Sequence, residues 1–233
     1  MVLTELLGAD VLRADGSRLA TLVDLAVRLG PERPPVTLLE VRTGRGPSTL
    51  LPWSSVAAVE RSAVRLRPAG ELAAAALRPD ELLLRGHVLD TQIFDVAGKR
   101  LTRVGDAELV EVDGALALAA VDAGTAPILR RLGLRFLARH ARSDLIDWSG
   151  LHLASGRGHA LQLELPSARL HRLTAHELAE LVARLPEARA SEVLEAVHPS
   201  TAAGARQLRE RTPEARPRHR YGRILRLRRR APS

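Results

Sequence analysis

Val and Leu recur in short runs through the first part of the chain, and turn residues cut the runs at short intervals. The breaks fall at Ala14-Asp15-Gly16-Ser17, Gly30-Pro31, Pro34-Pro35 and Gly44-Arg45-Gly46-Pro47. They bound strands predicted at 9–13, 19–29, 35–42, 48–52, 55–59 and 63–67. The alanine-rich stretch from Glu71 to Leu77 then predicts a short linker helix that stops before Pro79.

The pattern returns. Gly16-Ser-Arg-Leu-Ala-Thr-Leu-Val-Asp24 aligns with Gly98-Lys-Arg-Leu-Thr-Arg-Val-Gly-Asp106 at an offset of 82 residues. Leu51-Pro-Trp53-Ser-Ser-Val56 aligns with Ile146-Asp-Trp148-Ser-Gly-Leu151 at an offset of 95, so the second copy carries an insertion. Thr125 to Gly133 fits a short helix there, capped by Thr125 and ended by Gly133. Both copies are expected to close with a strand, at Ala63–Arg67 and Ala160–Leu165. Internal duplication of a unit of about six short strands points to two small barrels, since closure removes free edges.

From Pro166 the period changes. Thr174-Ala-His-Glu177 is a capping box, with Leu173 and Leu178 at the positions of a hydrophobic staple. Leu178, Leu181, Val182 and Leu185 then lie on one helical face, and Ala190, Val193, Leu194 and Val197 repeat the spacing. Pro186 and Pro199 separate these helices from each other and from a third near Thr201–Arg211. Helices this short need a surface to pack on.

Composition removes whole classes of chemistry. There is no cysteine, which excludes disulfides, thiolate metal sites and cysteine nucleophiles. Lys99 is the one lysine, and Gly98-Lys99-Arg100 lacks the rest of a phosphate-binding loop. Phe94, Phe136, Trp53, Trp148 and Tyr221 are too scattered for a base-stacking platform. The net charge of +8 is carried by eight arginines between 216 and 230, so the remainder is formally neutral. The longest uncharged apolar run, Ala115–Val121, is far short of a membrane span. With no basic, apolar leader at the N-terminus, a cytoplasmic location is expected.

Two resemblances rest on these residues. The Gly16–Asp24 and Gly98–Asp106 segments, each followed by a hairpin and then by Trp53-Ser-Ser-Val56 or Trp148-Ser-Gly-Leu151, resemble the PRC-barrel domain. That family includes a cytoplasmic domain of the photosynthetic reaction centre and the C-terminal domain of a ribosome maturation factor. His87-Val-Leu-Asp-Thr-Gln-Ile93, Leu129-Arg-Arg-Leu-Gly133 and Leu145-Ile-Asp-Trp-Ser149 resemble a narrower, actinobacterial type of it. Leu170 to Pro186 and Val193 to Val197 resemble the N-terminal intracellular domain of MgtE-type magnesium transporters, here without the CBS domains and pore that usually follow.

No cofactor is required by the sequence; the second resemblance makes Mg2+ the candidate to consider, on the helical carboxylates Glu177, Glu180, Glu192 and Glu195, with Glu187 nearby. Magnesium accepts scattered oxygen ligands because it keeps several waters. The competing reading is a solvated helix face, and Glu177 already has a capping role. Other candidates have plainer readings. His176-Glu177 lacks the second histidine of a zinc helix, because position 180 is Glu180. His152 and His159 flank an expected turn. Asp24 and Asp106, at equivalent places in different barrels, fit turn or bulge geometry better than paired acid–base chemistry. Trp53 and Trp148 fit a core. Gly44-Arg-Gly46 and Gly156-Arg-Gly158 lack a third glycine and are expected to be loops. The arginine tail, with Arg223, Arg226, Arg228, Arg229 and Arg230 around Ile224, Leu225 and Leu227, suits nucleic-acid phosphates, anionic lipid, or no dedicated partner.

The sequence therefore predicts an α+β chain, mainly β. The order is a PRC-like barrel at 1–68, a linker helix at 69–81, a second barrel at 82–165, a helical segment at 166–212 and a disordered basic tail at 213–233. No catalytic constellation is visible, which predicts a non-enzymatic accessory or regulatory protein. Its expected partners are proteins, a membrane metal transporter among them, or a second copy of itself. The tail would let it associate with a membrane. A ribosome- or RNA-associated assembly factor is the alternative, from the barrels and the tail.

Overall fold

The computed structural model describes residues 1–30, 32–68, 74–96, 98, 100–124, 143–154, 156–164 and 169–211. The expected helix at Thr125–Gly133 and the arginine tail lie outside these residues. Among them strand exceeds helix, in three sheets and a helical module.

A helical turn, α1 (Leu3–Leu6), leads into β1 (Asp10–Leu12) and the long β2 (Arg18–Arg28). β3 (Val36–Arg42), β4 (Ser48–Pro52), β5 (Val56–Val59) and β6 (Ala63–Leu66) follow, all within two residues of the predicted bounds. They form one sheet in the order β4-β3-β2-β1-β6-β5. The path is open, since β4 and β5 are its two ends, so the expected closed barrel is not formed. The expected linker helix is not formed in its described part either. Ala75 instead donates its amide to the Leu50 carbonyl at 2.8 Å. β7 (Glu81–Leu83) then pairs with β2 and becomes a seventh strand of the first sheet. Alanine favours helix, but a run this short gains too few hydrogen bonds to resist pairing with a sheet edge.

The second half repeats the course. A second helical turn, α2 (Leu84–His87), leads into β8 (Gln92–Asp95), β9 (Arg100–Arg103) and β10 (Asp106–Val112). β11 (Ala115–Asp122), β12 (Leu145–Asp147) and β13 (Leu151–Leu153) complete it. Positions 82 residues apart make the same bonds. The Gly8 amide donates to Leu22 and the Asp90 amide to Val104. Gly8 and Asp90 both take positive φ, 88° and 60°. Asp24 pairs with Glu40, and Asp106 with Asp122. At the larger offset, Ser48 donates its hydroxyl to Glu40 and Ser143 to Asp122. Asp122 also accepts the Gly124 and Asp144 amides, tying together both ends of the insertion.

One segment departs from the repeat. Ala160–Leu165 was expected to be a strand, but Gly156–Glu164 is a helix, α3. The alternation Leu161-Gln162-Leu163-Glu164-Leu165 reads as a half-buried strand, yet the side chain that turns inward is Gln162. Its Oε1 accepts the Leu153 amide at 2.7 Å, while His159 Nδ1 bonds the Leu153 carbonyl at 3.1 Å. Two helix side chains thus satisfy the edge of β13 that a strand would otherwise pair. β13 lies directly against β8, and the second half divides into the sheets β10-β11-β12 and β13-β8-β9.

The two halves do not have separate cores. Side chains from Leu3 to Leu153 form one cluster, with contributions from every strand of the first sheet except β5's outer residues and from β8 and β10–β13. A second cluster joins the helices α4 (Ala175–Val182), α5 (Glu187–Ala196) and α6 (Pro199–Arg211) to Phe94, Val96 and Ala154. The capping box of Thr174 and Glu177 starts α4 as expected. The sheet β13-β8-β9 lies between the clusters, and strand alternation serves both: Ile93, Leu151 and Leu153 face the first, Phe94 and Ala154 the second. No helix among the described residues is long and apolar enough to cross a membrane.

Helices α4 and α6 meet at small residues. A Cβ placed on Gly204 would lie 2.9 Å from the Ala175 Cβ. Gly204→Leu should therefore wedge the pair apart and cost roughly 1–3 kcal/mol, read as a lowered urea midpoint with the sheet signal preserved.

Candidate functional site

Both short helical turns begin without a capping side chain, because the residues before them are Val2 and Leu83. Their first amides still need acceptors. Each turn takes its acceptor from the opposite half. Asp24 on β2 accepts the Arg85 amide through Oδ1 at 2.8 Å and the Gly86 amide through Oδ2 at 2.9 Å. Asp106 on β10 accepts the Thr4 amide at 3.1 Å and also bonds the Thr4 hydroxyl. Each carboxylate further accepts the amide of the residue that follows it. The segments before the turns cross over too: β7 pairs with β2, and Val2 bridges Glu108. The two halves are interlocked, each holding the other's arm.

Both carboxylates are buried, Asp24 at 2% exposure and Asp106 at 0%. Burial pushes Asp24 up to about 6; the three amide bonds oppose the shift and the Glu40 charge adds to it. Asp24 does sit beside a register shift in β2, as its bulge reading expected, but its principal partner is the other half. Crossing the halves also brings α1 and α2 together. Between them lies a groove of about 560 Å³ lined by Thr4, Leu7, Gly8, Arg85, Leu89 and Asp90. Leu7 and Leu89, like Gly8 and Asp90, are 82 residues apart, so equivalent positions of the two halves line the same groove.

A second buried polar group joins the body to the helical module. His152 on β13 and His159 on α3 meet edge to face, Nε2 to Nδ1 at 3.0 Å. His159 Nε2 lies 3.1 Å from a Glu192 carboxylate oxygen on α5. Burial pushes His152 down to about 3, with His159 and His171 contributing. It is therefore neutral at neutral pH. Sequence reasoning placed these histidines on either side of a turn and missed the pair, because α3 was read as a strand.

The carboxylates considered for magnesium are spread over two helices. Glu177 closes the capping box, Glu180 lies 3.5 Å from His176, Glu192 faces His159, and Glu195 is exposed on α5. Among the described residues no group of three His, Asp or Glu side chains is arranged to hold a metal ion. Trp148 is buried and Trp53 packs against the core, as expected of both. Gly156-Arg-Gly158, expected to be a loop, opens α3 instead, and Arg157 clasps the carbonyls of Arg78, Pro79 and Glu81. Lys99 and the five tail arginines Arg223, Arg226, Arg228, Arg229 and Arg230 lie outside the described residues. The chain matches no family model and none of the curated proteins.

Two outcomes follow from these contacts. Asp106→Ala strands the Thr4 and Ala107 amides in a dry site and should cost roughly 2–4 kcal/mol in urea unfolding. His159→Ala removes the partner of His152, Leu153 and Glu192 together. It should loosen α5 first, seen as faster amide exchange over 187–197 than over the first sheet.

Proposed function

We propose that this chain is a non-enzymatic accessory or regulatory protein that acts on magnesium or another divalent-metal transport system through protein–protein contacts. The reading takes the two β halves as PRC-like and residues 166–212 as an MgtE N-terminal-like segment. The observation that carries it is the helical module. Residues whose sequence resembles the intracellular domain of a magnesium transporter form three helices with a cluster of their own, seated on the outer face of a sheet. Such a module presents helix faces to a partner while the sheets serve as its platform. The spread of Glu177, Glu180, Glu192 and Glu195 favours a link to metal that runs through the partner rather than through a resident ion on this chain.

The test is affinity isolation of the tagged full-length chain from its native membranes under mild detergent. Recovery of a metal transporter or a metal-dependent protein supports the reading, and repeated isolation without one overturns it. In parallel, a thermal-shift titration with Mg2+ to tens of millimolar should match an ionic-strength control. A saturable, Mg2+-specific rise in Tm would place the metal on this chain instead.

A further inference from the structure

The groove between α1 and α2 has walls that are fixed from behind. Asp106 holds the Thr4 amide and hydroxyl, and Asp24 holds the Arg85 and Gly86 amides. Its volume of about 560 Å³ lies within the roughly 300–1,000 Å³ range of small-molecule sites. The repeat shows what is particular about the lining. Leu7 and Leu89 are equivalent and give it two apolar walls. At two other places the halves differ in charge. Arg85 is exposed where the first half has the buried Leu3. Asp90 stands where the first half has Gly8, and both hold positive φ. Glycine takes that conformation without steric cost and a side chain does not, so the backbone there gives no reason for a carboxylate. Both departures line the groove. The Arg85 amide serves Asp24, while among the described residues its guanidinium has no carboxylate partner.

We propose that this groove binds a small monocarboxylate with a short apolar body, its carboxylate on the Arg85 guanidinium and its body between Leu7 and Leu89. A guanidinium presents parallel N–H donors that match the two oxygens of a carboxylate. That contact leaves the bond from the Arg85 amide to Asp24 in place. Asp90 sets the charge limit, because a dianion held by Arg85 brings a second negative charge into a groove that already contains one. Leu7 and Leu89 favour a hydrocarbon body over a further polar group. The groove's lining includes no residue of the helical module, so the site does not depend on what the helices contact.

The probe is isocaproate, titrated into the full-length chain at constant ionic strength and followed by amide NMR. The pH is kept above neutral, where phosphate is mainly a dianion. The Leu7, Gly8, Leu89 and Asp90 amides should shift saturably, with half-saturation at about 1 mM or below. Isocaproamide, which lacks the charge, acetate, which lacks the body, and inorganic phosphate should each bind at least roughly 10-fold more weakly. Arg85→Gln keeps the amide that Asp24 accepts and should weaken isocaproate roughly 10- to 100-fold. Asp90→Gly copies the first half, so it should fold as well as the wild type, keep isocaproate and bind phosphate more tightly. No saturable shift with isocaproate, equal binding of the amide or of phosphate, or an unchanged affinity in Arg85→Gln overturns the proposal. Leucine has the same head and body with an added ammonium group. Leucine binding tighter than isocaproate, with the advantage lost in Asp90→Gly, identifies the carboxylate as an amino acid; weaker binding identifies one without the amine. Should Arg85→Gln fail to fold, the side-chain N–H resonance of wild-type Arg85 decides. Movement with isocaproate and not with the amide supports the site, and no movement with either overturns it.

Discussion

Backbone amides at the start of a helix must find acceptors, and in this chain that requirement ties one half to the other. Val2 and Leu83 cannot cap the turns they precede. Had Asp, Ser or Thr stood at either position, each half could have closed its own turn. Because the acceptors are Asp24 and Asp106, neither arm is satisfied until the opposite half has folded. The crossed strands β7 and Val2 follow from that placement, as does the meeting of α1 and α2 at the groove. One continuous hydrophobic cluster is the result, where the sequence suggested two separate barrels.

The same economy of edges explains the second half. In the first half β6 lies between β1 and β5 and satisfies both. In the second, the equivalent segment is α3, which replaces a strand's backbone with Gln162 and His159 at one residue of β13. The helical module packs on the outer face of β8 and β13. Phe94, Val96 and Ala154 fill the contact, and His159 reaches across it to Glu192.

Most strand bounds were legible because period-two Val and Leu runs ended in Gly, Pro and Asp turns. The helices α4 to α6 were legible through the capping box and the spacing of Leu178, Leu181 and Val182. What stayed hidden was anything decided by contact across the fold. Ala160–Leu165 alternates as a strand should, and only the position of Gln162 against Leu153 makes it a helix. Ala75 carries strong helix propensity, and only Leu50 makes it extended. Asp24 and Asp106 were visible as a repeated pair, but a pairwise repeat does not say that each member serves the other copy. The His152–His159 contact depends on α3 and was lost with it.

The buried polar groups show where this chain spends its chemistry. Asp24 and Asp106 hold arms, Asp122 ties the ends of an insertion, Glu81 takes the Arg78 amide, and Asp95 takes the Gly98 amide and the Arg100 guanidinium. Each of these carboxylates faces backbone donors, an arrangement that fixes a chain path. Asp24, which burial pushes up to about 6, receives the first amides of a helical turn. The surfaces that these carboxylates position include the groove between the crossed arms, lined by Thr4, Leu7, Arg85 and Leu89.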